Sequence, residues 1–122
     1  MTPEAFAARL KEGALLLDGG MGSLLIAAGL QKGSAPEAWL FERPEEVEAA
    51  HRAYAEAGSE VLHTDTFGGT PPKLKASGLE GRCAEASRRA VDLARRAASG
   101  RALVAGDLGP TGLMRPPVGR AA

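Results

Sequence analysis

A chain of 122 residues with 15 basic and 15 acidic side chains carries no formal net charge, which removes the electrostatic case for nucleic acid or an anionic membrane as partner. Its apolar runs fall far short of the roughly 18 residues that a membrane span needs. Cys83 is the only cysteine, so neither an intrachain disulfide nor a cysteine-based metal cluster is expected.

The N-terminal stretch MTPEAFAARLKEG has no basic region running into an apolar one, so no signal peptide is read there and a cytoplasmic protein is expected. Thr2-Pro3-Glu4 is instead a helix start, with Thr2 as N-cap, Pro3 at the first helical position and an acid in the first turn. Phe6 and Leu10 give this helix an apolar side and Gly13 ends it. A first strand, Ala14 to Leu17, is apolar throughout, as expected of a parallel strand covered on both faces. A short helix from Ser23 to Ala28 follows, then an irregular stretch and a helical turn from Pro36 to Phe41 carrying Trp39. Pro44-Glu45-Glu46 opens a second clear helix that runs to Gly58. Val47, Ala50, Tyr54 and Ala57 share one of its faces, and Glu48, Arg52 and Glu56 are spaced for i, i+4 pairing on the other.

Glu60 to Thr64 reads as a second strand. After a loop, Asp65 to Pro72, come a helical turn from Lys73 to Ser77 and the longest helix, Glu80 to Ala98. The inner face of that helix carries Cys83, Ala86, Ala90, Leu93 and Ala97. A third strand, Ala102 to Ala105, leads into Gly106-Asp107-Leu108-Gly109. Residues 113–122 form a tail with no regular element. Strands alternating with helices predict a parallel sheet with right-handed crossovers, an α/β fold.

Each strand ends in a cluster of the same character. The first delivers Asp18-Gly19-Gly20, the second Thr64-Asp65-Thr66, and the third Asp107 with Gly109 behind it. Parallel strands point one way, so the three clusters gather above one edge of the sheet. There Asp18 can bind an amino group or act as a general base, and the glycine turns can hold an anion on backbone amides. Thr64 and Thr66 can orient a polar ligand. Plain turn-capping roles for Asp18, Asp65 and Asp107 compete with these. DGGMGS lacks the spacing of a dinucleotide fingerprint, and no phosphate-loop lysine follows it. His51 is assigned to packing or solvation, Cys83 to the core as a small hydrophobe and Trp39 to covering the sheet edge, while His63, late in the second strand, can reach the site but is a lone histidine and is not assigned to it.

Three stretches, LLLDGGMGSLL, PEEVEAAHRAYAEAGSEVLHTDTFGGTPPKLKASGL and VAGDLGPTG, resemble in order and spacing the homocysteine S-methyltransferase family. Its members include the homocysteine-binding barrel of cobalamin-dependent methionine synthase and betaine–homocysteine methyltransferase. The resemblance runs from about residue 14 to 119. It implies a TIM (β/α)₈ barrel, methyl transfer to the thiol of homocysteine giving methionine, and a zinc ion on three cysteine thiolates. Asp18, Gly19 and Gly20 then belong to the homocysteine pocket with Thr64 and Thr66 lining it, while Asp65, Asp107 and Gly109 shape its loops.

The family's Asn-Cys and Gly-Gly-Cys-Cys zinc segments are absent here, and an acidic residue is expected where His63 stands. A complete barrel takes about 250 residues. The expected object is therefore the first three βα units of such a barrel, truncated after the third strand: a helix over 1–13, βα units over 14–112 and a tail over 113–122. Zinc, and cobalamin or folate in a larger enzyme, are the cofactors implied, with the zinc ligands outside this chain. The chain alone is expected to be inactive. The alternatives are a non-catalytic remnant and a small α/β module that binds an anion or another small molecule. An open parallel edge predicts that copies self-associate, or that the tail packs back over the open side.

Overall fold

The structure, a computed structural model, describes residues 1–115 and 117–118. Helix α1 spans Pro3–Glu12. The Ala5 N–H donates to Thr2 Oγ1 at 3.2 Å, Glu4 lies in the first turn, and Arg9 and Lys11 lie in the last, where the helix dipole favours cations. None of its residues is buried, and Phe6 and Leu10 stand largely exposed.

The sheet has two parallel strands, β1 Val61–His63 and β2 Leu103–Ala105, paired Val61↔Leu103, Leu62↔Val104 and His63↔Ala105. The strand expected over 14–17 shrinks to a single parallel bridge, Leu17↔Val61. The Asp18 N–H donates to Val61 O at 3.0 Å, and the Val61 N–H to Leu16 O at 3.2 Å. Nor is this segment covered on both faces, since Leu16 and Leu17 are 57% and 52% exposed. A strand with no partner beyond it and no cover on its inner face keeps only the hydrogen bonds its one neighbour offers.

The helices are α2 Met21–Ala27, α3 Trp39–Glu42, α4 Pro44–Glu56, α5 Pro71–Leu74 and α6 Cys83–Ala98. Single 3₁₀ turns occupy Pro36–Ala38, Lys75–Ser77 and Glu80–Arg82. The longest helix therefore starts three residues later than expected. Its predicted first turn contains Gly81, a weak helix former, and tightens to 3₁₀.

Helices α4 and α6 pack against each other and cover one face of the sheet. Leu25, Trp39, Leu40, Val47, Ala50, Ala86, Ala90 and Leu93 form the main core. The alanines of α6 fall at helical spacing on one face, so the two backbones approach closely. Leu62 of β1 is buried beneath Ala97 and Ala98, beside Tyr54 and Ala55. Glu48 pairs with Arg52 on its own helix at 2.5 Å and joins α4 to α6 through Arg96 at 3.0 Å. An Arg52–Glu56 pair does not form among the described residues.

The opposite face is open. Leu17, Val61, Leu103 and Ala105 border a groove of about 1000 Å³ whose far wall includes Phe6 and Leu10 of α1. Arg9 pairs with Glu60 at 2.5 Å, and Glu60 also accepts the Leu16 N–H at 3.0 Å. The backbone donor first, then Arg9, holds the Glu60 carboxyl below the usual carboxylate range. No helix among the described residues is long and apolar enough to cross a membrane. The tail is irregular where it is described; the rest of that expectation, at 116 and 119–122, lies outside the described residues.

Candidate functional site

The carboxyl ends of Leu17, β1 and β2 open into one cavity of about 620 Å³, lined by all three predicted clusters. Asp18, Gly19 and Gly20 come from the first, Thr64 and Asp65 from the second, and Asp107 from the third. Met21, Glu37, His63 and Lys73 join them, while Thr66 and Gly109 do not line it.

Asp18 is held on both oxygens by one residue. Its Oδ1 lies 2.6 Å from His63 Nδ1, and its Oδ2 accepts the His63 backbone N–H at 3.0 Å. The Asp18 side chain is only 4% exposed, against 36% for His63. The Tyr54 hydroxyl donates to Gly20 O at 2.9 Å, and a Cβ on Gly19 would stand 2.8 Å from the Tyr54 oxygen. A side chain at 19 would therefore push the Tyr54 ring off the turn that it bonds.

Thr64 and Thr66 tie two loops together. The Thr66 hydroxyl donates to Asp107 O at 2.7 Å, which leaves Thr64 as the donor in the 2.7 Å bond between the two hydroxyls. The Asp107 N–H closes the ring onto Thr64 Oγ1 at 3.1 Å. Both hydroxyl protons are spent within the protein, so the two threonines fix the cavity wall rather than donate into it. Gly109 belongs to the same joint: any side chain there would strike the Phe67 carbonyl.

Asp65 does not cap a turn. It is 5% exposed, and its Oδ2 has no hydrogen-bond partner among the described residues. Burial first, then the nearby charges of Glu37 and Asp107, pushes its carboxyl up to about 7. Glu37 is itself 3% exposed and accepts the Gly68 N–H at 2.5 Å. It lies in the turn predicted over Pro36 to Phe41, and only the fold brings it across to the loop after β1. A lone acid just after Pro36 was the available signal. His51 is fully buried, with neither ring nitrogen partnered among the described residues. Burial lowers its pKa, against the opposing pull of Asp18 and Glu48.

The cavity is thus acidic, with Asp18, Glu37, Asp65 and Asp107 facing Lys73 and His63. That balance suits a ligand carrying an ammonium group and disfavours a phosphate. A thiolate-held zinc does not fit the residues present. Cys83 is half-buried on α6 with its S–H on Gly69 O at 2.8 Å. Among the described residues no three His, Cys, Asp or Glu side chains are grouped to hold a metal ion. A tetrahedral site needs three or four protein ligands.

Comparison with known proteins places this geometry in a family. The family model for homocysteine S-methyltransferase matches residues 15–119, and the chain belongs to the homocysteine S-methyltransferase family. It is 34% identical over 116 residues to the homocysteine S-methyltransferase of Escherichia coli (strain K12), covering 84% of this chain and 37% of that protein. The crystal structure of the E. coli homocysteine methyltransferase MmuM in its metallated form superposes with a TM-score of 0.75 at 33% identity, covering 86% of this chain and 41% of that one. The oxidized form gives 0.71 at 34% identity, covering 80% and 38%. The chain spans about two fifths of the length of these relatives.

Proposed function

We propose that this chain supplies the amino-acid pocket of a (β/α)₈ barrel that transfers a methyl group to the thiol of homocysteine, giving methionine. Residues 14–112 are the working unit, and the setting is the cytoplasm. Asp18, Gly19 and Gly20 form the pocket floor, Thr64 and Thr66 fix its wall, and Asp65, Asp107 and Gly109 shape its loops. Zinc serves the complete family barrel through thiolates that this chain lacks, so the chain alone is inactive in methyl transfer. Cobalamin or folate enters only in a larger enzyme.

The observation that carries this reading is the acidic cavity at the strand ends in a chain of this family. It also weighs against the anion-binding alternative, since three acidic side chains besides the raised Asp65 line the space against one lysine. Isothermal calorimetry tests it: L-homocysteine binds one to one, its analogue without the amino group binds at least tenfold more weakly, and inorganic phosphate does not bind. Methionine formation by this chain alone, or tight binding of one zinc ion, would refute the assignment of the metal to residues elsewhere. The uncovered inner face also makes self-association the expected behaviour, read as a mass above one chain in light scattering.

A further inference from the structure

We propose that Asp65 receives the ammonium group of the ligand in the strand-end cavity, and that it releases its own proton to solvent as that group binds. This rests on the reading of the cavity as a homocysteine pocket. Four acidic side chains line the space, and the hydrogen bonds around them separate their roles. Asp18 has both oxygens engaged by His63, Oδ1 at 2.6 Å from Nδ1 and Oδ2 at 3.0 Å from the backbone N–H. Glu37 spends Oε1 on the Gly68 N–H. Asp107 is half-buried and keeps contact with water. Asp65 differs from all three. It is 5% exposed, and its Oδ2 has no donor among the described residues. A buried acceptor without a donor is uncommon in a folded protein, because its lost contact with water goes unreplaced. Asp65 lines this cavity and does not border the groove on the other face.

An ammonium group supplies what this oxygen lacks, N–H donors and a positive charge. Lys73 on the same wall is exposed and leaves Oδ2 unpartnered. Burial first, then the charges of Glu37 and Asp107, pushes the Asp65 carboxyl up to about 7. The other charged or titratable groups on the cavity wall are Asp18, His63 and Lys73, with His51 of α4 near enough to feel the Asp18 charge. Near neutral pH Asp65 therefore exchanges between acid and carboxylate. The arriving cation favours the carboxylate: the O–H bond of Asp65 breaks, the bonding pair stays on oxygen, and the proton passes to solvent. The thiol of the ligand takes no part in this step. Binding is strongest above about pH 7 and weakens as pH falls below it, because the proton and the cation compete for one oxygen.

The full chain is titrated with L-homocysteine by calorimetry in buffers of different ionisation enthalpy. More than half a proton per ligand is expected to leave at about pH 6 and well under half at about pH 7.5, while affinity rises at least tenfold between about pH 5.5 and 7.5. Asp65→Asn should bind at least tenfold more weakly than the unaltered chain at about pH 7.5, with the gap narrowing as pH falls. Glu37→Gln keeps an oxygen for the Gly68 N–H but removes a neighbouring charge, so it should move the rise in affinity to lower pH. Homocysteine bound without proton release, at equal affinity across this range, overturns the role of Asp65 while leaving the pocket standing. Absence of homocysteine binding in the unaltered chain overturns the pocket, and this assignment with it.

Discussion

The two faces of the sheet have opposite fates. On one, α4 and α6 bury Leu62 completely and close over it with alanines. On the other, Leu17 is half exposed and Val61, Leu103 and Ala105 border an open groove. Both faces carry aliphatic side chains, so residue type alone does not decide burial. What differs is the source of cover. The crossover helices between consecutive strands lie on one side, while α1 reaches the other side through the Arg9–Glu60 contact and buries nothing of its own.

Cutting one leucine on each face gives the largest contrast. Leu62→Ala is expected to cost about 2–5 kcal/mol, the range for a fully buried leucine whose cavity does not collapse. At dilutions where copies separate, Leu17→Ala should stay within about 0.5 kcal/mol, as at other exposed positions. Urea denaturation of the two variants measures both. Equal losses would show that the inner face is covered in solution, by a second copy or by the tail, and light scattering across a dilution series separates those two.

Burial can be probed next by pH, through His51 of α4, with neither ring nitrogen partnered among the described residues, and Asp65 at the strand-end cavity, with its Oδ2 unpartnered. Asp65 is raised from 3.8 to about 7, so its contribution is full below pH 3.8, where both states are protonated. It is lost as pH rises towards 7, since the unfolded chain releases the proton first. His51 is lowered from 6.5, so its contribution is full above pH 6.5 and drains below it, as the unfolded chain takes up the proton first. Between about pH 4 and 6.5 the two slopes oppose, each bounded by roughly 1.4 kcal/mol per pH unit for one proton. The unaltered chain should therefore show a flatter stability profile than either variant. Asp65→Asn should become more stable as pH rises through this window, and His51→Leu less stable. Denaturant midpoints at several pH values decide. Flat profiles in both variants would mean that water reaches these groups more freely than their geometry indicates.

What was legible in the sequence follows the same division. Thr2-Pro3-Glu4 and Pro44-Glu45-Glu46 announce helix starts through local chemistry, and both helices begin there. The convergence of Asp18, Thr64 and Asp107 followed from strands running parallel, and they do share a cavity. The first strand was misjudged because its ladder depends on what lies beyond its outer edge, which no local pattern encodes. Glu37 was missed because its place at Gly68 is made by the fold across 31 positions. His63 was seen, but its hold on Asp18 was not. For Asp65 the sequence leaves turn capping and shaping of the site both open, and only the structure shows how deeply the surrounding layers bury it.

The smallest expected effect tests α1, the one helix among the described residues that stands against the open face. Thr2→Ala removes the acceptor for the Ala5 N–H, a change that costs a helix roughly 1 kcal/mol. In a helix packed into a core, that loss would pass to global stability. Here α1 buries no residue, so it can fray while the α4–α6 layer and the sheet remain folded. Amide exchange should speed up severalfold within Pro3–Glu12, while exchange in Leu62 and Leu93 and the urea midpoint stay unchanged. If the midpoint falls with the cap, α1 and the sheet unfold as one unit. The inner face would then contribute to cooperativity through Arg9–Glu60 despite its exposure, and the distinction between the two faces would hold for burial but not for folding.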